Sequence, residues 1–142
     1  MIAYLGIGTN LGDRTANLHN AVNMIDEQAG HVLACSSFIE TEPWGFISDN
    51  TFLNAVVKID TLLIPHELLH ITQDIERTMG RTHKSIGGNY SDRIVDIDIL
   101  LYEDLVVNDA ELTIPHPLMW QRSFVYGPLL EIAPHLKNKE II

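Results

Sequence analysis

The apolar positions of the chain change period several times, and each change marks an element. Ile2 to Gly8 is a short apolar run ending in glycine, which reads as a strand running into a polar turn. Leu18, Val22, Ile25 and Ala29 then recur at spacings of four, three and four, the stripe of an amphipathic helix. His31 to Thr41 carries Val32, Leu33, Phe38 and Ile39 without helical period, Pro43 and Gly45 punctuate, and Phe52 to Ile59 resumes an apolar run, so two more strands are expected. Pro65 suits a helix start, Leu68, Leu69, Thr72, Ile75 and Met79 give the next stripe, and Gly80 stops it. Ile94 to Tyr102 reads as another strand, followed by a short segment from Leu105 to Val107. From Pro115 onward, Pro115, Pro117, Pro128 and Pro134 break the chain and leave Phe124 to Ile132 as the best remaining helix. The order β-α-β-β-α-β is that of the split βαβ, or ferredoxin-like, plan and predicts an α+β fold.

Composition narrows this picture. A chain of 142 residues can bury a core without disulfides, and no linker or repeat divides it, so a single domain over residues 1–142 is expected. The one cysteine, Cys35, cannot form an internal bridge, which fits a reducing compartment. The opening Met1-Ile2-Ala3-Tyr4 has no basic region ahead of an apolar stretch, and no run approaches the ~18 apolar residues of a membrane span; a cytoplasmic location is expected. Nine Lys and Arg against nineteen Asp and Glu give a net charge of −10, which argues against nucleic-acid or anionic-membrane partners. Yet Arg77, Arg81, Lys84 and Arg93 fall within one seventeen-residue stretch with His83, Gly80, Gly87 and Gly88. That stretch is either a solvated loop or a site for a small anion such as phosphate.

Three groups of residues carry candidate chemistry. In Val95-Asp96-Ile97-Asp98-Ile99, strand alternation puts Asp96 and Asp98 on one face, about 6 to 7 Å apart along the backbone, with the apolar residues on the other. Adjacent carboxylates repel and are relieved by a proton, a basic partner or a divalent cation. Oxygen-only ligands near arginines suit Mg²⁺ bridging to a substrate phosphate, and the alternative is a water-facing strand edge. His66-Glu67-Leu68-Leu69-His70 matches the zinc-protease pattern H-E-x-x-H, but the residues that follow offer no third ligand of the zincin type, and a solvated helix face is the preferred reading. Gly6-Ile7-Gly8-Thr9-Asn10-Leu11-Gly12 superficially suggests a dinucleotide loop; its spacing is off by one, and a tight turn with Thr9, Asn10 or Asp13 capping the next helix explains it better.

Taken together, the segments YLGIGTNLGD, SSFIETEPWG, FLNAVVKIDT, ELLHITQDIERTMGR, DRIVDIDILLY and LTIPHPLMWQRSFVYGPLLEIAP resemble the 6-hydroxymethyl-7,8-dihydropterin pyrophosphokinase family, in order and over nearly the whole chain. The resemblance implies an α/β/α sandwich on an antiparallel sheet. It implies an ATP-dependent diphosphotransferase of folate biosynthesis, which moves diphosphate from ATP to the hydroxymethyl group of the pterin and releases AMP. Asp96 and Asp98 are implied to hold two Mg²⁺ ions that bridge the ATP phosphates. Arg81 and Arg93 are implied as catalytic, binding the triphosphate with His83 and Lys84, while His116 and Arg122 contact the nucleotide. Asn54 is implied to bond the pterin edge, Phe52 and Phe124 to flank the ring, and Thr41, Pro43 and Trp44 to complete the pocket. Gln73, as an ATP contact, and Glu76 match family positions that face the site. The Gly-rich stretch from Arg81 to Asp92 reads as a lid over ATP. It departs from the family in carrying Asn89-Tyr90-Ser91-Asp92 before Arg93, and His83 stands where arginine is frequent. The expected partners are ATP and the pterin alone, with the chain a monomer.

Overall fold

The first apolar run becomes the central strand of a sheet, β1 (Ile2–Thr9), and everything that positions the site is built outward from it. A computed structural model describes residues 1–41, 51–80 and 94–136 of the chain. After β1 come α1 (Arg14–Gln28), β2 (His31–Cys35), β3 (Ile39–Thr41), β4 (Phe52–Asp60), α2 (Pro65–Met79), β5 (Asp96–Tyr102), β6 (Val107–Asn108), β7 (Thr113–Ile114) and α3 (Ser123–Ile132), then one 3₁₀ turn at Pro134–Leu136. The main sheet is antiparallel in the order β2-β4-β1-β5, with β3 also pairing with β4. This is the ferredoxin-like order that the sequence predicts.

The helix starts are chemically specified. Asp13 caps α1 by accepting the Ala16 N–H at 3.1 Å, the capping role expected of Thr9, Asn10 or Asp13. Pro65 opens α2, and Glu67 reaches back to accept the Ile64 N–H at 3.1 Å, satisfying a donor that the helix itself cannot. The buried stripe of α1 is Leu18, Ala21 and Ile25, and that of α2 is Leu68, Thr72 and Ile75. Both helices lie on one face of the sheet, over Leu5 and Ile7 of β1, Val57 and Ile59 of β4, and Ile97 and Ile99 of β5. On the other face Tyr4, Val56 and Leu100 pack against Met119, Leu129, Ala133 and Leu136. Helices therefore cover the sheet on both sides, and the Asp residues of β5 point to the α3 side.

Three local expectations change. Gly6 and Gly8 lie inside β1, as the strand reading of Ile2 to Gly8 has it, whereas the glycine-spaced turn read from Gly6 to Gly12 begins only after Thr9. The apolar run from His31 to Thr41 is one strand broken in two. Cys35 pairs with Val57 and Ile39 with Asn54, so residues 36–38 oppose only 55–56, a bulge. Ser36 sustains the break: its N–H donates to the Val56 carbonyl at 2.9 Å and its hydroxyl accepts the Val56 N–H at 2.8 Å. Finally, the ladder of β5 begins at Asp96 rather than Ile94, and of the segment 105–107 only Val107 pairs, in β6. Among the described residues no helix is long and apolar enough to cross a membrane.

The α1–β2 junction is packed against backbone. A Cβ on Gly30 would come within 2.7 Å of the Asp60 carbonyl oxygen and 3.0 Å of Thr61 Cα, while the Thr61 hydroxyl donates to the Ala29 carbonyl at 2.6 Å from the same side. Neither atom can retreat without moving the end of β4. Gly30→Ala is expected to lower stability by about 1–3 kcal/mol, read as an earlier midpoint of urea unfolding at unchanged slope.

Candidate active site

Residues directly opposite in an antiparallel ladder share a face, so the register of three strands lays out the site. Asn54 on β4 lies opposite Gly8 on β1, and Gly8 lies opposite Asp96 on β5. The next row is Val56, Gly6 and Asp98. At both rows the central strand contributes no side chain, so only the backbone of β1 stands between Asn54 and the two carboxylates. Phe52, two residues before Asn54, borders this face, and Thr41 pairs with Phe52 at the end of β4.

Asn54 is buried, and its amide Nδ2 has no hydrogen-bond partner among the described residues. An unpaired buried donor costs about 1–3 kcal/mol, a cost that a ligand accepting from it removes. On the β5 side Glu76 reaches round from α2. Its Oε2 accepts the Ile97 N–H at 2.7 Å, occupying an edge donor of β5 between the two aspartates, and in protonated form it donates to the Asp96 carboxylate. Its pKa is pushed up to about 7, chiefly by burial and further by the charges of Asp96 and Asp98, against the opposing pull of the Ile97 N–H. Glu76 thus shares the sheet edge with Asp96 and Asp98, and burial together with their charges favours its protonated form. Asp96 and Asp98 supply two hard oxygen donors, a type that suits a divalent cation such as Mg²⁺ when substrate or water completes its coordination.

The C-terminal segment closes the same edge. His116 donates its backbone N–H to the Leu100 carbonyl at 3.0 Å, which ties it to β5. Its Nδ1 accepts the Leu118 N–H at 3.3 Å, so the ring proton sits on Nε2 as a donor. Burial first, and then the Arg122 charge, hold His116 below the usual imidazole pKa, with Asp96 pulling the other way. Arg122, immediately before α3, sets its guanidinium 5.8 Å from the centre of the Phe124 ring.

The structure therefore brings together Asn54, Phe52, Asp96, Asp98, His116, Arg122 and Phe124, with Thr41 at the margin. Gln73 lies one turn before Glu76 on the exposed side of α2. Pro43, Trp44, Arg81, His83, Lys84, Arg93 and the expected lid over 81–92 lie outside the described residues. Arg77, the remaining member of the basic stretch, pairs with Asp74 one turn earlier. The sequence motifs give Gly8 no role in the site beyond a turn, and no local pattern signals the contact of Glu76 with β5.

The histidines of the H-E-x-x-H match lie elsewhere, facing carboxylates of the β6–β7 hairpin. His66 Nε2 is 2.8 Å from Asp109 Oδ2, and His70 Nε2 is 3.7 Å from Glu111 Oε2. Asp109 itself organises the hairpin turn: its other oxygen accepts the N–H groups of Glu111 and Leu112, which hold it below the usual carboxylate range. Among the described residues no three His, Cys, Asp or Glu side chains are grouped to hold a metal ion. The two histidines read as members of polar surface pairs.

Comparison with known proteins places these features. A family model for 7,8-dihydro-6-hydroxymethylpterin-pyrophosphokinase matches residues 4–134. The 2-amino-4-hydroxy-6-hydroxymethyldihydropteridine pyrophosphokinase of Porphyromonas gingivalis is 54% identical over 136 residues, which cover 95% of this chain and 92% of that protein. The protein of the same name from Methylorubrum extorquens is 44% identical over 135 residues, covering 94% of this chain and 84% of that one. Among solved structures, a triple mutant of Plasmodium falciparum HPPK-DHPS superposes with a TM-score of 0.74 at 16% identity, over 94% of this chain. The chain spans only 40% of the length of that protein, and the likeness is one of fold. On sequence, over nearly its whole length, the chain belongs to the 7,8-dihydro-6-hydroxymethylpterin-pyrophosphokinase family.

Proposed function

We propose that ATP and the pterin meet on the sheet face that carries Asn54 and Asp96, with Asp96 and Asp98 as ligands of two Mg²⁺ ions. The chain is an ATP-dependent diphosphotransferase of folate biosynthesis: it moves diphosphate from ATP to the hydroxymethyl group of 6-hydroxymethyl-7,8-dihydropterin. The observation that carries the assignment of roles is the strand register, which sets a buried, unpaired amide and a pair of carboxylates on the same face of three adjacent strands.

In this reading Asn54 bonds the polar edge of the pterin, and Phe52 and Phe124 flank its ring with Thr41, Pro43 and Trp44 around them. His116 offers its Nε2 proton and Arg122 its guanidinium to the nucleotide. Because Arg122 rests on Phe124, the nucleotide contact and the pterin contact support each other. Arg81, Arg93, His83, Lys84 and Gln73 are assigned to the triphosphate on the family resemblance. Bound at Asp96 and Asp98, Mg²⁺ supplies neutralisation of the phosphate charge and polarisation of the attacking oxygen. The pterin hydroxyl attacks the β-phosphorus, forming the new P–O bond as the bond to the AMP oxygen breaks, and its proton leaves to solvent. Phosphoryl transfer of this kind rests on positioning and electrostatics, so no protein nucleophile is required. Cys35 accords with that: it stands on β2, at the edge of the sheet away from β5, and burial with the Glu131 charge raises its thiol pKa. The same reading takes residues 1–142 as one domain acting as a cytoplasmic monomer, without nucleic-acid or membrane partners.

The test is AMP formation from ATP. AMP is expected only when both the pterin and Mg²⁺ are present, to cease with EDTA and to return on adding excess Mg²⁺. AMP formed at the same rate without pterin would make the chain an ATP hydrolase. Tight binding of both substrates without AMP would reduce it to a binding module.

A further inference from the structure

Gly6 and Gly8 sit two residues apart on β1, facing the same side of the sheet, yet they stand in different surroundings. A Cβ on Gly6 would meet only the end of Leu100 at 3.5 Å, an ordinary contact. A Cβ on Gly8 would lie 2.7 Å from Asn54 Oδ1, with Asn54 Cγ at 3.8 Å and Phe52 Cδ1 at 3.7 Å. Neither glycine has a positive φ, so neither is needed for its backbone conformation. What Gly8 provides is space, and the Asn54 amide fills it by leaning across β4 onto β1. We infer that Gly8 is a positioning residue for the pterin site: its missing side chain leaves room for the rotamer in which Asn54 lays its Oδ1 onto β1 and keeps its Nδ2 donor for the ligand, and so favours a ligand whose edge carries an acceptor.

The inference deepens the proposed function and rests on Asn54 being the pterin contact. The atom that a Cβ at Gly8 would displace is the end of a side chain, which can swing aside, not backbone. Gly8→Ala is therefore expected to fold and to misplace one amide. Displacing a binding group by about 1 Å can cost up to ~10²-fold in rate. The lost hydrogen bonds here are expected to raise the KM for the pterin at least about tenfold. The KM for ATP and the affinity for Mg²⁺-ATP stay as in the wild type, because Asp96 is not among the nearest neighbours of the added carbon.

The experiment measures pterin KM, ATP KM and melting temperature for Gly8→Ala, Gly6→Ala, Asn54→Ala and the double variant Gly8→Ala/Asn54→Ala. The expected pattern is a raised pterin KM in Gly8→Ala and Asn54→Ala, none in Gly6→Ala, and a double variant no worse than Asn54→Ala alone. If Gly8→Ala melts early, the double variant should recover the loss, since the overlap is with the amide it removes. A normal pterin KM in Gly8→Ala beside a raised one in Asn54→Ala overturns the inference and leaves the site reading standing. A normal KM in Asn54→Ala overturns the pterin contact itself. Equal losses for ATP and pterin, or an early melt that the double variant does not repair, would make Gly8 a purely structural glycine.

Discussion

Replacing Asp96 or Asp98 by alanine is expected to lower pterin-dependent AMP formation by at least about 10³-fold while leaving the chain folded. A bound divalent cation supplies several kcal/mol of charge stabilisation in the transition state, and each 1.36 kcal/mol is a factor of ten in rate. The carboxylates stand on rigid backbone, opposite Gly8 and Gly6 of the central strand. Both side chains are only half-buried, so their removal opens no closed cavity in the core. Their charges instead help to raise the pKa of Glu76. Taking one away relieves repulsion, and the melting temperature should hold or rise slightly. Rates at saturating ATP, Mg²⁺ and pterin, with thermal melts on the same samples, decide the matter. Substantial rates in both variants would remove the metal assignment; a collapse in melting temperature would show that the aspartates serve the fold instead.

The aspartate pair is legible in the sequence because strand side chains alternate with a period of two, so Asp96 and Asp98 share a face whatever else the chain does. The helical stripes are legible for the same kind of reason: Leu18 and Ile25, or Leu68, Thr72 and Ile75, lie on one face by spacing alone. Relations between elements are not written in spacing. That Asn54 falls opposite Gly8 depends on the register of β4 against β1, set by the whole ladder from Ile2–Asp60 to Thr9–Leu53. The break between β2 and β3 escaped the apolar pattern because a serine hydroxyl, a polar group in the middle of the run, stands in for part of the ladder. The H-E-x-x-H match shows the converse: a local pattern that is complete in the sequence faces the carboxylates of a hairpin, from which the spacing of the histidines says nothing.

Glu76 is the clearest product of such long-range placement, and Glu76→Ala is expected to reduce kcat/KM for the reaction by about 10–100-fold, the usual cost of losing a group that orients metal ligands. It stands twenty-one residues before the Ile97 N–H that it accepts. That bond fixes the backbone between the two aspartates, and the bond to Asp96 fixes one of the side chains. Without the carboxyl group, the Ile97 N–H on the edge of β5 loses its partner and Asp96 gains rotamer freedom. The apparent affinity for Mg²⁺ should therefore weaken while the KM for the pterin, read from Asn54 on the far side of β1, changes little. Glu76→Gln separates orientation from general support of the fold. A glutamine can still accept from Ile97 and donate to Asp96, as the protonated acid does, and should recover most of the Mg²⁺ affinity and rate. Equal defects in the alanine and glutamine variants would mean that the charge of Glu76 matters rather than its bonds. A pterin KM that rises in step with the loss of Mg²⁺ affinity would mean that α2 braces the whole sheet face rather than β5 alone.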